Sequence, residues 1–404
     1  MDAASVRTAD DARAIVEERD LSHVKLGVFD LDGVLRGKYV SRAKFLSALE
    51  SGFGFCDVVL GWDSEDQLYD NVAFTGWHTG YPDAPVRIVP ETCRDLPFED
   101  GGLLFLGEFA GRAEPLCPRG LLRRVCQRAE AMGFVPQAAL EYEFFLFDET
   151  PESAAEKGYR NLKPLTPGMF GYSVLRNSVW AEFHRELLDL GEAMRFPLEG
   201  LHTETGPGVL EAAITVDGAL EAADRAALFK TFTKVLAQRE GLMATFMARW
   251  SNAYPGQSGH VHLSFKDRDG GGAVFFDPES PDGMSATMRS FVGGQQALMP
   301  ELLCLTAPTV NSFSRLVPGF WAPTAATWGV ENRTVALRVI PGSAKSQRVE
   351  VRVAAADANP YLALAAAIAS GLHGIERGLE PTAPVHGNAY AAEVAAPLRF
   401  PATL

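Results

Sequence analysis

Cysteine is scarce in this chain and scattered along it. Cys56, Cys93, Cys117, Cys126 and Cys304 are odd in number and contain no CxxC pair, which argues against a zinc ribbon or a disulfide framework as the basis of the fold. Positive charge is also short. Lys and Arg number 37 against 51 Asp and Glu, for a net charge of −14, so neither nucleic acid nor a membrane is an expected partner, while a local basic pocket for phosphate is still allowed. No run is long and apolar enough to span a bilayer. The first twenty residues are polar and mixed in charge, without the basic and apolar segments of a signal peptide. Internal repeats and low-complexity tracts are absent, and the expectation is a soluble cytoplasmic protein. What the chain does have is length: 404 residues, 47% of them hydrophobic, can bury a large core and suggest more than one domain.

Its texture changes along the way. Residues 1–22 read as an amphipathic helical lead-in. From 23 to about 110, short β-like runs (Leu26–Phe29, Val86–Val89, Leu103–Leu106) alternate with Gly- and Asp-rich turns, which predicts a small α/β domain. A larger unit, 111–404, follows. Pro118 opens a helix with Leu122, Val125, Ala129 and Met132 on one face, and Gly133 closes it. The run His260–Phe265 alternates like a strand, and Asp267–Gly272 predicts a hairpin turn back into Ala273–Phe276. Asn359 is placed to cap a last apolar helix from Tyr361 to about Gly374.

The most informative short stretch is Glu141-Tyr142-Glu143, inside the otherwise apolar run Leu140–Phe147. In a strand, residues i and i+2 share a face. Two carboxylates therefore point the same way from an element bound for a core, where unpaired burial costs several kcal/mol each. A divalent metal is the simplest candidate to meet them; the alternative is an acidic face that is solvated or paired with arginines.

One motif points elsewhere. Val28-Phe29-Asp30-Leu31-Asp32-Gly33 is similar to the first motif of haloacid-dehalogenase-type phosphatases, but no later pair of Asp ligands follows, and a motif is confirmed by its context.

Four further segments concentrate charged groups. His202–Glu211 brings Glu204 and Glu211 around a Gly-Pro-Gly turn. Gly259–His262 puts His260 and His262 on one strand face. Arg315–Pro323 leads on to Glu331-Asn332-Arg333 and Arg338. Lys345 precedes Arg348, Glu350 and Arg352, which alternate on a strand face. Histidines of this kind are often core residues satisfied by a hydrogen bond, and turn acids are often surface acids. Taken together, a carboxylate-rich set with few imidazoles suits Mg²⁺ or Mn²⁺ better than zinc, and paired metals with several arginines suit a triphosphate and a transferred phosphoryl group.

With Asp30–Lys38, these pieces resemble the glutamine synthetase family, type I-like, over about residues 24–380, in the family's order through Asn359-Pro360-Tyr361-Leu362. The resemblance implies an α+β fold: a small N-terminal β-grasp domain (23–110) and a larger catalytic domain (111–404) with a curved antiparallel sheet flanked by helices. It implies two or more metal ions, with Glu143, Glu204 and Glu211 on the substrate side and Glu141, His260 and Glu350 on the ATP side. Gly256 and Arg315 would contact glutamate. Arg333 and Arg338 would face the transferred phosphoryl group, and Arg352 that group or the γ-carboxylate. His262, Ser264, Lys345 and Arg348 would line the nucleotide site. The implied reaction is ATP-driven amide formation through γ-glutamyl phosphate, in a homododecamer of two hexameric rings with active sites between subunits.

The chain departs from that pattern at the acceptor end. Ammonia-forming members carry a Glu before the Ala-Pro of a closing flap; here the residue is Trp321. An indole cannot accept a proton, although it can pack on an apolar group or present a π face to a cation. The Gly-Ser-Ser loop by which a neighbouring subunit supplies a second acid is not recognisable, and Asp63 is the nearest substitute. Val209 and Pro255 replace a Gln and an Asn. The expected activity is therefore a ligase joining glutamate to an organic amine, with an ammonia-using enzyme or a catalytically silent scaffold as alternatives. If Trp321 only packs, another acid takes over its role.

Overall fold

The computed structural model describes all 404 residues. Its first sheet has the order β2-β1-β5-β4-β3, formed by β1 (His23–Phe29), β2 (Leu35–Ser41), β3 (Phe53–Cys56), β4 (Asp83–Asp95) and β5 (Leu103–Phe109). β1 and β5 run parallel at its centre, and the other pairs are antiparallel. Helix Ala9–Glu18 begins at a capping box formed by Thr8 and Asp11, which satisfies backbone N–H groups that the first turn leaves free. The lead-in does not stand apart, since Ile15 and Val16 are buried in the core beneath this sheet. All seven residues of β5 are buried. Leu103, Phe105 and Phe109 belong to the smaller core, and Leu104 and Leu106 to the larger one, so the period-2 alternation of one strand serves both.

The Asp30 turn is structural in this fold. Asp30 is fully buried and accepts hydrogen bonds from the Val34 N–H and Arg36 Nε, both at 2.8 Å. Asn359 Nδ2 donates to the Leu31 carbonyl at 3.0 Å, which ties the turn to the last long helix. Gly33 has φ +80 and a Cβ there would come within 3.2 Å of Asn359, which explains the glycine.

The second sheet has nine strands. Its path runs β12 (Trp328–Val330), β13 (Leu337–Ile340), β14 (Arg348–Val351), β11 (Gly259–Asp267), β6 (Phe134–Phe147), β8 (Val209–Ile214) and β7 (Leu198–Thr203), while β9 (Asp217–Gly218) and β10 (Met243–Thr245) also pair with β6. Antiparallel pairing was expected throughout, but β12 and β13 are parallel at the edge. β6 shows the alternation read from the sequence: Ala138, Leu140, Tyr142 and Phe144 are buried, and Ala139, Glu141 and Glu143 are half-buried on the other face. The buried face packs on helix Ala219–Arg239, where Tyr142 and Phe144 lie 6.1 and 5.9 Å from the Phe229 ring. No helix is long and apolar enough to cross a membrane.

Two sequence expectations are corrected. The hairpin beyond Asp267 reduces to one bridge, Lys266 to Ala273. Phe275 leaves the ladder to bury itself against Phe265 and Phe291, each 5.0 Å away. The last helix spans Pro360–Arg377 rather than ending near Gly374, and stops at Gly378 with φ +60. Gly374 is an interior position where this helix meets helix Ala286–Thr306, and a Cβ would lie 2.1 Å from the Ser290 carbonyl oxygen.

A buried ion network joins the two units. Arg119, on helix Pro118–Ala131, donates to both oxygens of Asp224 at 2.9 Å and to Glu108 of β5, while the Tyr361 hydroxyl donates to Asp224 at 2.6 Å. Asp224 and Glu108 are 1% exposed and Arg119 4%, so removal of one partner strands a buried charge. Asp224→Ala is predicted to cost about 3–5 kcal/mol, measured as a fall in urea midpoint at unchanged slope. A change of only a few tenths of that would show the network to be dispensable.

Candidate active site

The half-buried face of β6 opens into a cleft of about 660 Å³. Strand register builds it. Glu141 stands opposite His260, His262 opposite Glu350, Glu350 opposite Arg338, and Glu143 opposite Glu211, which is in turn opposite His202. A charged row thus crosses six neighbouring strands. The cleft collects Glu141, Glu143, Glu204, Glu211, Gly256, His260, His262, Arg315, Trp321, Arg333, Arg338, Arg348, Glu350 and Arg352. Ser264 and Lys345 are not part of its wall. Ser264 lies two residues beyond His262 on β11, opposite Gln137, and Lys345 is exposed on the loop before β14. Asp63 is also elsewhere, its Oδ1 accepting from the N–H groups of Glu65 and Gln67 at 2.9 Å.

Two clusters have the makings of cation sites. Glu141, His262 and Glu350 form one, and His202, Glu204 and Glu211 the other. In each, one ligand atom per residue lies within 4.8 Å of the others. The grouping differs from the family-based assignment. His260 Nδ1 is 3.3 Å from Glu350 and 3.7 Å from Glu141, beside the first cluster. Glu143 lies between the two and accepts the Ser258 N–H at 2.7 Å. His202 was not singled out, although it begins the quoted segment and shares a strand face with Glu204. Tyr172, stacked on His202 at 4.4 Å, sits in a loop and carried no sequence signal.

The arginines are held as firmly as the acids. Arg315, 3% exposed, donates to the carbonyls of Val353 at 3.0 Å and Arg352 at 3.1 Å. Arg352 and Arg338 both donate to Glu350, the latter at 3.2 Å, and Arg348 Nε donates to His262 Nδ1 at 3.2 Å. Arg333 is exposed at the rim, on a turn fixed by Asn332 Nδ2 donating to the Val385 and Gly387 carbonyls. Gly256 is required by close approach, since a Cβ would meet Arg315 Cγ at 2.8 Å.

This crowding shapes the titrations. Burial, then Glu143 and the other cleft carboxylates, push Glu211 up to about 9. Burial also raises Glu143, with Arg315 opposing. Glu141 is buried too, yet the imidazoles of His260 and His262 hold it well below the usual range. Glu350 is lowered against its burial, chiefly by His260 and Arg352. Burial and then Arg352 push His260 down to about 4, which keeps its imidazole neutral and fit to ligate. His260 Nε2 and Glu204 Oε2 are buried without a hydrogen-bond partner. Oxygen-rich ligation with a few neutral imidazoles fits Mg²⁺ or Mn²⁺.

At the mouth, Phe320 lies under the Arg249 guanidinium at 5.1 Å, and Arg249 is itself held by the Ser314 and Asn252 carbonyls. Next to this anchor, Trp321 is 57% exposed with φ +61, a conformation that non-glycine residues rarely adopt.

Comparison with known proteins gives one family answer. Residues 115–404 match the model of the glutamine synthetase catalytic domain. A type-1 glutamine synthetase 2 of Dictyostelium discoideum is 49% identical over 91% of this chain and 71% of its own. A glutamate–isopropylamine ligase of a Pseudomonas species is 37% identical over 96% of this chain and 85% of its own. A GmaS–ADP complex superposes with a TM-score of 0.81 at 28% identity, covering 97% and 87% of the two chains.

The stranded carboxylates predict a pH-dependent response to cations. For Glu211 the folded pKa, about 9, lies above the ordinary 4.5. Its contribution to stability is full below about 4.5 and is lost as pH rises to about 9. The metal-free protein should therefore lose thermal stability over that window, and Mg²⁺ should restore more of it at pH 9 than at pH 6. In Glu141→Ala and Glu350→Ala the Mg²⁺ stabilisation should shrink and ATP turnover should vanish. Near-normal turnover in either variant would remove the assignment.

Proposed function

The chain belongs to the glutamine synthetase family and is an ATP-dependent carbon–nitrogen ligase, and from that premise we propose that it joins the γ-carboxylate of glutamate to an organic amine rather than to ammonia. The observation that carries this reading is Trp321. Where ammonia-forming members place a flap carboxylate to deprotonate and enclose ammonium, this chain presents an indole at the mouth of the cleft. Phe320 and the stacked Tyr172–His202 pair line the same cleft, and together they suit the apolar substituent of an amine. Relatives named as a glutamate–isopropylamine ligase and a γ-glutamylethanolamide synthetase support the same class of acceptor. The relative named as a glutamine synthetase at 49% identity favours the second reading, ammonia as acceptor.

Each part of the cleft has a role in this reaction. Arg315, oriented by two backbone carbonyls beside Gly256, takes the α-carboxylate of glutamate. Arg352 and Arg338, braced on Glu350, face the phosphoryl group in flight with Arg333 from the rim, and their charge favours the transition state over the ground state. His262 and Arg348 continue toward Ser264 and Lys345, the end assigned to the nucleotide. Mg²⁺ or Mn²⁺ held by Glu141, His260, His262 and Glu350, and by Glu143, Glu204, Glu211 and His202, would supply charge neutralisation for the phosphate and acyl oxygens. The γ-carboxylate displaces ADP from the γ-phosphorus, and the amine nitrogen then displaces phosphate from the acyl carbon.

Phosphate release from glutamate, ATP and Mg²⁺ across an amine panel decides between the readings. A mono- or diamine should give the highest kcat/KM, and Trp321→Glu should shift the ratio toward ammonium by about tenfold or more. Ammonium as the best acceptor of the unaltered protein would overturn the proposal.

A ring assembly with sites between subunits, a double-ringed dodecamer, accompanies this function. Phe170, Tyr172, Val174, Leu175 and Val179 are each 59% or more exposed beside the cleft, a patch that favours a protein contact. Light scattering should give a mass many times 43.7 kDa. A monomer at micromolar concentration would contradict it.

A further inference from the structure

A second cavity, of about 510 Å³, lies on the other side of the metal-bearing strand. It is bounded by the turn Asp32–Leu35, by helix Ala219–Arg239 and by the start of helix Val310–Arg315. Glu141 and Glu143 face away from it, whereas Tyr142, on the opposite face of β6, lies 5.5 Å from Lys230 Nζ, which lines the cavity. The reaction uses none of the residues lining this space.

Four charges line it: Lys230 and Lys234, one helical turn apart on a single face, and Asp32 and Asp357 across from them. None of the four forms an ion pair with any residue. Lys230 Nζ donates to the Ala358 carbonyl at 3.0 Å. Asp357 accepts from the hydroxyls of Thr309 and Ser312 at 2.8 and 2.9 Å. Their fields nonetheless overlap. Burial and Lys234 push Lys230 down to about 7, while Asp357 and Asp32 act in the opposite direction. Lys230 and Lys234 Nζ also lie 5.9 and 5.8 Å from the Phe246 ring, and two cations and two anions face one space without closing on each other, a pattern that a ligand carrying both signs would complete. The remaining wall includes Phe246, Val235 and Leu35, so the space combines convergent polar groups with an apolar side and has the size of a small-molecule site.

We propose that this cavity binds a small zwitterion, a free α-amino acid with an apolar side chain, with its carboxylate between Lys230 and Lys234, its ammonium toward Asp32 and Asp357, and its side chain against Phe246 and Val235. It is a site separate from the catalytic cleft and places its ligand at the base of the helix that ends in Arg315.

The test is calorimetric titration of the full-length protein without glutamate, whose own α-carboxylate and ammonium would compete for the cavity; the Arg315→Ala protein reports any binding in the cleft. The probes are L-leucine, L-methionine and L-phenylalanine, with 4-methylpentanoate and isopentylamine as the single-charge counterparts of leucine. At least one amino acid should bind, and the single-charge leucine counterparts about tenfold or more weakly than leucine. Lys234→Met and Asp32→Asn should weaken amino-acid binding by about the same factor, because each removes one charge-assisted contact. Neither Lys234 nor Asp32 forms an ion pair that the substitution would break, so both variants should fold, which a thermal melt checks. Arg315→Ala should leave this binding unchanged. The proposal is overturned if none of the three amino acids binds. Binding of 4-methylpentanoate as tight as leucine would make this an anion site and sink the zwitterion. Loss of binding in Arg315→Ala with retention in Lys234→Met would place the ligand in the cleft.

Discussion

Repulsion among five carboxylates is the force around which this protein is arranged. Glu141, Glu143, Glu204, Glu211 and Glu350 share one cleft because strand register puts them there, and no apolar surrounding makes such a set comfortable. The arginines answer part of that charge from the β13–β14 end of the sheet, where Arg338 and Arg352 converge on Glu350. The Glu204–Glu211 side has no comparable answer, so Glu211 is driven toward its protonated form. Stability lost at this face is made up elsewhere, in the aromatic packing of Tyr142 and Phe144 on Phe229 and Phe246 and in the Arg119–Asp224–Tyr361 network.

Much of this was legible in the chain because the signals were local. A period of two around Tyr142 gives the strand, its buried face and the common direction of Glu141 and Glu143 without any knowledge of the neighbours. The Asn359 cap and the helix-opening Pro118 are equally local. What was not legible depends on partners far away in sequence. The sharing of imidazoles between Glu141 and Glu350 is set by register between β11, β6 and β14, which no single segment encodes. Tyr172 matters only because a loop lays it on His202. The Ala273–Phe276 run has the pattern of a strand, but a burial site for Phe275 next to Phe291 outweighed one more rung of ladder. Gly374 reads as a helix stop until the second helix that crosses it is seen.

The two ends of the cleft are built differently. The charged end rests on central strands, with its groups fixed by backbone carbonyls and by one another. The aromatic end hangs on loops: Trp321 with a left-handed backbone, Phe320 pinned under Arg249, Tyr172 in an irregular segment. The charged groups stand on rigid elements, while the aromatic ones stand on segments where substitutions disturb little of the core.

β5 is a party wall. Its odd-numbered Leu103, Phe105 and Phe109 belong to one core and its even-numbered Leu104 and Leu106 to the other, so neither unit owns the strand. The catalytic half therefore has no finished surface of its own on that side. A polypeptide beginning at residue 115, where the family match starts, would expose the apolar face that β5 covers and would be prone to aggregate. The two halves should therefore melt together, and the small unit, which lends no residue to the cleft, is inherited with the catalytic one as a condition of its folding.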